Sequence, residues 1–197
     1  MTVNNSLYAD MYKAAMIKFL TGLPFSSGYT IHIDGISLGA QFPTRNSGYT
    51  PVSPGHHQAG ISIHAGTPVN TTQILELSSG KFYTLAVAGS RGSTKLLIFE
   101  DEPWVPAGEA KIRFIHLYPQ EKSLDIAVKK RDVIFPDVQY GQSTPYLGIT
   151  PMSLELEARK TGAKGAAIDF PLLKFEHDTA YTIVITKEEP LVIKDTF

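Results

Sequence analysis

The sequence predicts an all-β chain of two tandem β-sandwich domains. Three observations predict it. The chain repeats itself at an offset of 95 residues, its apolar residues alternate in short runs, and glycine, proline, serine, threonine and asparagine divide those runs. Regular short strands with such turns build sandwiches. The 197 residues suit two domains of about 100 each.

The repeat opens with "AAMIKFLTGLP" (Ala14–Pro24), which returns as "EAKIRFIHLYP" (Glu109–Pro119). "YTIHIDG" (Tyr29–Gly35) then falls on "LDIAVKK" (Leu124–Lys130). Tyr29, Ile31 and Ile33, and Leu124, Ile126 and Val128, alternate as a half-buried strand requires. Asp34-Gly35 suits a two-residue hairpin turn, whose central residues both need positive φ. Lys129-Lys130 does not suit that turn, so the second copy is expected to turn differently. "ISIHA" (Ile61–Ala65) aligns with "LELEA" (Leu154–Ala158), "KFYTLAV" (Lys81–Val87) with "TAYTIVI" (Thr179–Ile185), and "KLLIFED" (Lys95–Asp101) with "PLVIKDT" (Pro190–Thr196).

These matches divide the chain into an N-terminal arm (1–12), a first sandwich (13–102), a linker (103–107) and a second sandwich (108–197). The linker region "EDEPWVPAGEA" carries two prolines and a glycine, which cannot continue a ladder. Its Trp104, the only tryptophan, reads as an apolar anchor between the units or as a ligand-stacking residue. Asn4–Met16, with Ser6 as a cap, fits a helix and equally a strand-leading arm.

Composition excludes several functions. Apolar residues at 43% and charged residues at 19% describe a chain that can bury a core. A net charge of −1 offers no footprint for nucleic acid or an anionic membrane. No 18-residue apolar run exists, so no membrane insertion is expected. The first twenty residues lack the basic and apolar regions of a secretory signal. The absence of cysteine removes disulfides, thiolate metal sites and a cysteine nucleophile.

No G-x-S-x-G, H-E-x-x-H or phosphate loop occurs, so no catalytic residue is assigned. "GSRGSTK" (Gly89–Lys95) lacks the phosphate-loop spacing and reads as a hairpin loop. Glu155 and Glu157 share a strand face and read as solvated acids. "KKRD" (Lys129–Asp132) reads as a charged turn.

Four of the six histidines lie in the first copy: His32, His56, His57 and His64. Together they could supply the three or four nitrogen ligands of a zinc site; the alternative is a solvated surface. His116, just before Pro119, is placed to hold a loop by bonding a backbone carbonyl.

Residues 1–103 hold 6 basic and 6 acidic side chains, against 12 and 13 in residues 104–197. "FPTRNSGYTPVSPGHHQAG" (Phe42–Gly60) is read as one long loop of low charge, rich in the small polar and tyrosine residues that recognition loops use. Tyr49, His56, His57 and Trp104 are therefore the ligand-binding candidates.

The second copy, "AKIRFIHLYPQEKSLDIAVKK", resembles the opening of the domain of unknown function 4397 family. Its members read V-R-V-x-H-x-S-P and then V-D-V-Y-V-D-G. Arg113, His116 and Pro119 match the first part, and Leu124, Asp125, Ile126 and Val128 the second. The first copy keeps Lys18, Pro24, Ile31, Ile33, Asp34 and Gly35, with Thr21 where the family places histidine. "STPYLGI" (Ser143–Ile149) and "AYTIVIT" (Ala180–Thr186) resemble later segments. The resemblance implies Ig-like or transthyretin-like sandwiches of exported bacterial proteins, with structural roles for His116, Pro119, Asp34 and Gly35. It implies a non-catalytic binding or adhesion module of the cell envelope or spore surface, with a surface protein or glycan as partner and no cofactor. The alternatives are assembly through strand edges, as a homo-oligomer, and binding of a metal or carbohydrate.

Overall fold

The computed structural model describes residues 13–23, 29–37, 47–63, 71–90, 93–186 and 189–195. Every regular element among them is a strand. The chain divides into two compact units, Met1–Glu102 and Pro103–Phe197. Most of the stretch read as helix or arm lies outside the described residues; Ala15 and Met16 at its end are strand.

The first unit contains β1 (Ala15–Thr21), β2 (Tyr29–Ile33), β3 (Ile36–Ser37), β4 (Thr50–Val52), β5 (Gly55–Ile63), β6 (Thr71–Leu77), β7 (Phe82–Ser90) and β8 (Ser93–Asp101). They form two sheets, ordered β4-β1-β7-β8 and β3-β2-β5-β6. β1 runs parallel to β7, and the other pairs are antiparallel. Ile17 and Phe19 of one sheet meet Ile31, Ile33, Ile61 and Leu75 of the other in a continuous buried core.

The second unit contains β9 (Ala110–His116), β10 (Ser123–Val128), β11 (Val133–Gln139), β12 (Leu147–Ile149), β13 (Met152–Leu154), β14 (Leu156–Lys160), β15 (Ala166–Asp169), β16 (Leu173–Phe175), β17 (Thr179–Ile185) and β18 (Leu191–Asp195). Its main sheets are ordered β12-β9-β17-β18 and β11-β10-β14-β15. Strand for strand this is the first unit again, including the parallel pair β9–β17. The extra pair β13–β16 has no counterpart in the first unit among the described residues.

Pairing corrects two of the sequence alignments. Ile31 pairs with Ile61 and Ile126 with Ala158, so Ile61 corresponds to Ala158, four residues from its sequence match. An even slip preserves a period of 2 and cannot be seen in alternation. Phe82 pairs with Asp101 and Ala180 with Asp195, so Asp101 corresponds to Asp195, one residue from its sequence match.

Turn chemistry follows residue type. Asp34 (φ 52°) and Gly35 (φ 76°) make the tight turn between β2 and β3. The second copy uses residues 129–132 instead, with Lys130 alone among them at positive φ (59°). β7 and β8 pair to Ser90 and Ser93, with residues 91–92 outside the described set. Gly89 sits at φ 129°, where an added Cβ would lie 2.0 Å from the Ser93 carbonyl oxygen, so the hairpin admits only glycine there.

Each unit also closes a corner with a buried tyrosine. The Tyr83 hydroxyl accepts the Ser78 N–H at 3.1 Å, and the Tyr181 hydroxyl accepts the Glu176 N–H at 2.9 Å, both five residues back. This tyrosine corner is a hallmark of Ig-like sandwiches. Tyr83→Phe and Tyr181→Phe should each cost about 1–2 kcal/mol, because a backbone N–H loses its acceptor while the ring stays packed. Urea unfolding of the single variants checks this.

Candidate functional site

The first unit presents one sheet face whose outward residues, among the described residues, are exposed or half-buried. Along β2, β5 and β6 the apolar residues turn inward, which sends their neighbours out. Register places them in rows: Ser37, His32, Gly60 and Thr72; Thr30 and Ser62; Gln58 and Ile74; His56 and Glu76. His56, Gln58, Thr72, Ile74 and Glu76 are exposed, and Thr30, His32, Gly60 and Ser62 are half-buried. No lysine or arginine stands in these rows, and Glu76 is their one acid. His32 Nε2 lies 3.3 Å from the Ser62 hydroxyl.

The same face of the second unit is filled. Ala127 replaces His32 and Glu157 replaces Gly60, by register. Glu157 is buried and accepts from Arg159 Nε at 2.6 Å. Arg159 Nη2 donates to the Arg131 carbonyl at 2.9 Å, and Lys129 pairs with Asp169 at 2.9 Å. Glu157 is thus not the solvated acid that alternation suggested. The longer 129–132 turn reaches back over the sheet, and the short Asp34-Gly35 turn does not.

The described first-copy histidines, His32, His56 and His57, do not assemble. His57 points inward from β5, with Nδ1 2.6 Å from Asp34 Oδ2 and Nε2 2.7 Å from the Ser53 carbonyl. Both ring nitrogens are thus engaged within the first unit, by a carboxylate and a carbonyl. Asp34 also accepts the Gln58 N–H at 2.8 Å, which with the His57 contact holds its carboxyl below the usual carboxylate range. His32 sits opposite Gly60, four residues along β5 from His56, or about 13 Å at strand spacing. His64 lies outside the described residues. No three His, Asp or Glu side chains gather to hold a metal among the described residues.

The binding group of Tyr49, His56 and His57 also separates. Residues 50–52 and 55–63 are β4 and β5, in different sheets, so the stretch Phe42–Gly60 is not one loop. Its part at 42–46 lies outside the described residues. Trp104 is 60% exposed, and its carbonyl accepts from Lys111 Nζ at 3.3 Å.

Tyr49 belongs to a buried polar network that sequence reasoning missed. Lys18 (β1) stands 3.7 Å from Asp101 (β8) and lies over the Tyr49 ring at 5.0 Å. Asp101 also accepts from the Tyr49 hydroxyl at 2.6 Å and from Thr84 (β7) at 2.7 Å. The second unit repeats the set. Arg113 (β9) lies over the Tyr146 ring at 4.8 Å and donates to Thr182 (β17) at 3.1 Å, and Thr182 donates to Asp195 (β18) at 2.9 Å. The lysine, arginine, threonines and aspartates are all at most 5% exposed. The recurring Tyr-Thr of "FYT" and "AYT" was a usable signal, but the one-residue misalignment of Asp101 hid its partner.

His116 is fully buried at the end of β9. Nε2 lies 3.0 Å from the Glu121 carbonyl, and Nδ1 accepts the Tyr118 N–H at 3.3 Å. Burial pulls its pKa from 6.5 down to about 4. Thr21, its counterpart, accepts the Leu23 N–H at 3.0 Å, again two residues on, with a hydroxyl in place of a ring nitrogen. Asp125 accepts the N–H groups of Asp137 (2.7 Å) and Gly162 (3.0 Å), which ties β11 and the turn after β14 to β10.

A family model described as a domain of unknown function, DUF4397, matches residues 15–127 and again 110–196. The chain belongs to the DUF4397 family. Arg113, His116 and Asp125, three of the residues that carry the sequence resemblance, are the buried groups just described. Among solved structures, the CBM26-family module CBMbc of Eubacterium rectale Amy13K, crystallised with maltoheptaose, matches at 9% identity and a TM-score of 0.30, over 93% of this chain and 98% of that one. No curated protein matches the chain.

Two outcomes follow. Asp101→Ala should cost about 3–5 kcal/mol, because it removes the carboxylate paired with a buried ammonium, while Lys18→Met combined with Asp101→Leu should cost much less. Denaturant midpoints of the two variants separate these cases. The second concerns acid. Native His116 stays neutral down to about pH 4, whereas the unfolded chain protonates it near 6.5. The unfolded state binds the extra proton in that window, so stability falls as pH drops from 6.5 to 4, by about 3 kcal/mol from this group. His116→Thr should remove that part of the pH dependence in chemical melts.

Proposed function

We propose that this protein is a non-catalytic, adhesion-type binding module of the bacterial cell envelope or spore surface. Its recognition surface is the outer face of β2, β5 and β6. The observation that carries this reading is the contrast between the two copies. One fold and one register give a face filled by ion pairs in the second copy and an open, nearly uncharged face in the first.

The open face suits recognition. His32, His56, Gln58, Ser62 and Thr72 offer hydrogen-bond donors and acceptors without the desolvation cost of formal charge, and Ile74 adds apolar area. The glycine at position 60 leaves a shallow gap between His32 and Thr72, where a ligand can approach the strand backbone. A surface protein or a glycan presents matching groups. The family model assigns no activity, and the buried acids Asp101, Asp125, Glu157 and Asp195 are each engaged in holding strands or turns.

Protease treatment of intact cells and spores, compared with lysates, tests the location. Cleavage on the intact surface is expected, and protection until lysis would overturn the envelope reading. The surface is tested by retention of the purified protein on cell-envelope fractions. Combining His56→Ala with Gln58→Ala should weaken retention about tenfold with an unchanged urea midpoint, since both side chains are exposed.

A further inference from the structure

β6 is the edge of its sheet, and among the described residues it pairs with β5 alone. Exposed edges invite pairing, and proteins protect them with short strands, proline, lysine or bulges. The other main-sheet edges here carry such protection. β3 has two residues and β12 has three. β4 contains Pro51, β8 an exposed Lys95 and β18 an exposed Lys194. β11 contains Pro136 and an irregular register, and β15 has four residues and a register shift. β6 has none of these, and its one charge is the exposed Glu76. It runs seven residues, Thr71–Leu77, in unbroken register, with no proline and no basic residue. Among the described residues the Thr71 hydroxyl donates to the Thr94 carbonyl of β8 at 3.2 Å.

The sequence of β6 is also self-complementary. Its midpoint is Ile74, which is 66% exposed. Antiparallel pairing with a second copy about a two-fold axis at Ile74 would set Ile74 against Ile74, Thr72 against Glu76 and Gln73 against Leu75. The single charge then faces a hydroxyl and never its own copy, which avoids the like-charge cost of direct opposition. Residues that are exposed in one chain remain on the outer face, and buried Leu75 and Leu77 stay on the core side. Pairing of this kind is isologous and closes at two chains.

We propose that β6 is the homodimerisation edge of this protein, joining two first-unit sheets into one continuous eight-stranded sheet through an antiparallel β6–β6 contact centred on Ile74.

The lack of cysteine in the chain makes the register directly testable. Opposed strand residues lie about 4.5–5.5 Å apart at Cα, within disulfide reach. In the full chain, Ile74→Cys should form an intermolecular disulfide on mild oxidation. Thr72→Cys alone should not, and a mixture of Thr72→Cys and Glu76→Cys chains should cross-link to each other. Sedimentation of the unsubstituted chain should show dimers, and Ile74→Lys should return it to monomer without loss of fold, since the position is exposed. A chain that stays monomeric at concentrations up to about 200 µM would overturn the proposal. So would Thr72→Cys cross-linking with itself as readily as Ile74→Cys.

Discussion

A buried cation on the β1 or β9 strand of each unit, facing away from the apolar core, is the constraint on which the rest of this structure depends. Lys18 and Arg113 are 2% and 1% exposed, and a charge so buried is tolerated only when its partners are fixed. The partners come from every strand of the sheet. β1 or β9 supplies the cation, β7 or β17 the threonine, and β8 or β18 the aspartate. The tyrosine immediately precedes the edge strand, β4 or β12. A slip of one residue anywhere would turn the charge toward the apolar core. The network thereby sets the register of four strands at once, including the parallel pair that simple hairpins cannot form.

That constraint explains how the loop ends are arranged. Ser47 and Thr144 each bond both backbone groups of a β1 or β9 phenylalanine, the N–H through the hydroxyl and the carbonyl through their own N–H. Two residues later comes the tyrosine that covers the cation. Thr21 and His116 then fasten the chain as it leaves the strand. The two copies use different side chains for each task and keep the geometry, since geometry is what compensating a buried charge demands.

Much of this was legible in the sequence, for reasons that also mark where legibility stops. Alternation showed the strands, Asp34-Gly35 showed its turn, and the 95-residue offset showed the duplication. Alternation is blind to even slips, which is why Ile61 was matched to Leu154 and not to Ala158. β4 and the first half of β5 were missed because "TPVSPGHHQAG" places histidine, alanine and glycine where strands usually carry branched residues, and only the inward turn of His57 and Ala59 restores the period. Histidine was over-read as a ligand for a related reason. Sequence shows that four are present, but only the register shows that His32 and His56 stand apart and that His57 is committed to Asp34 and Ser53.

Duplication separates building from binding. Both copies need the buried network, so those positions are held in each. Only the second copy fills the face that corresponds to β2–β5–β6, on its β10–β14–β15 strands, with Glu157, Arg159 and Lys129. The first copy lacks the long turn that would cover the face, and its β6 lacks the lysine, proline or bulge that would close the edge. The two absences lie on one sheet. Pairing at β6 would place two open faces side by side on a single surface, with their His32, Gly60 and Thr72 rows related by a two-fold axis. A surface-bound partner displaying repeated groups would then meet both faces together, and the second contact would form at the high effective concentration set by the first. If the nearly uncharged face is the recognition surface proposed above, weak recognition at each copy would become firm attachment through geometry alone.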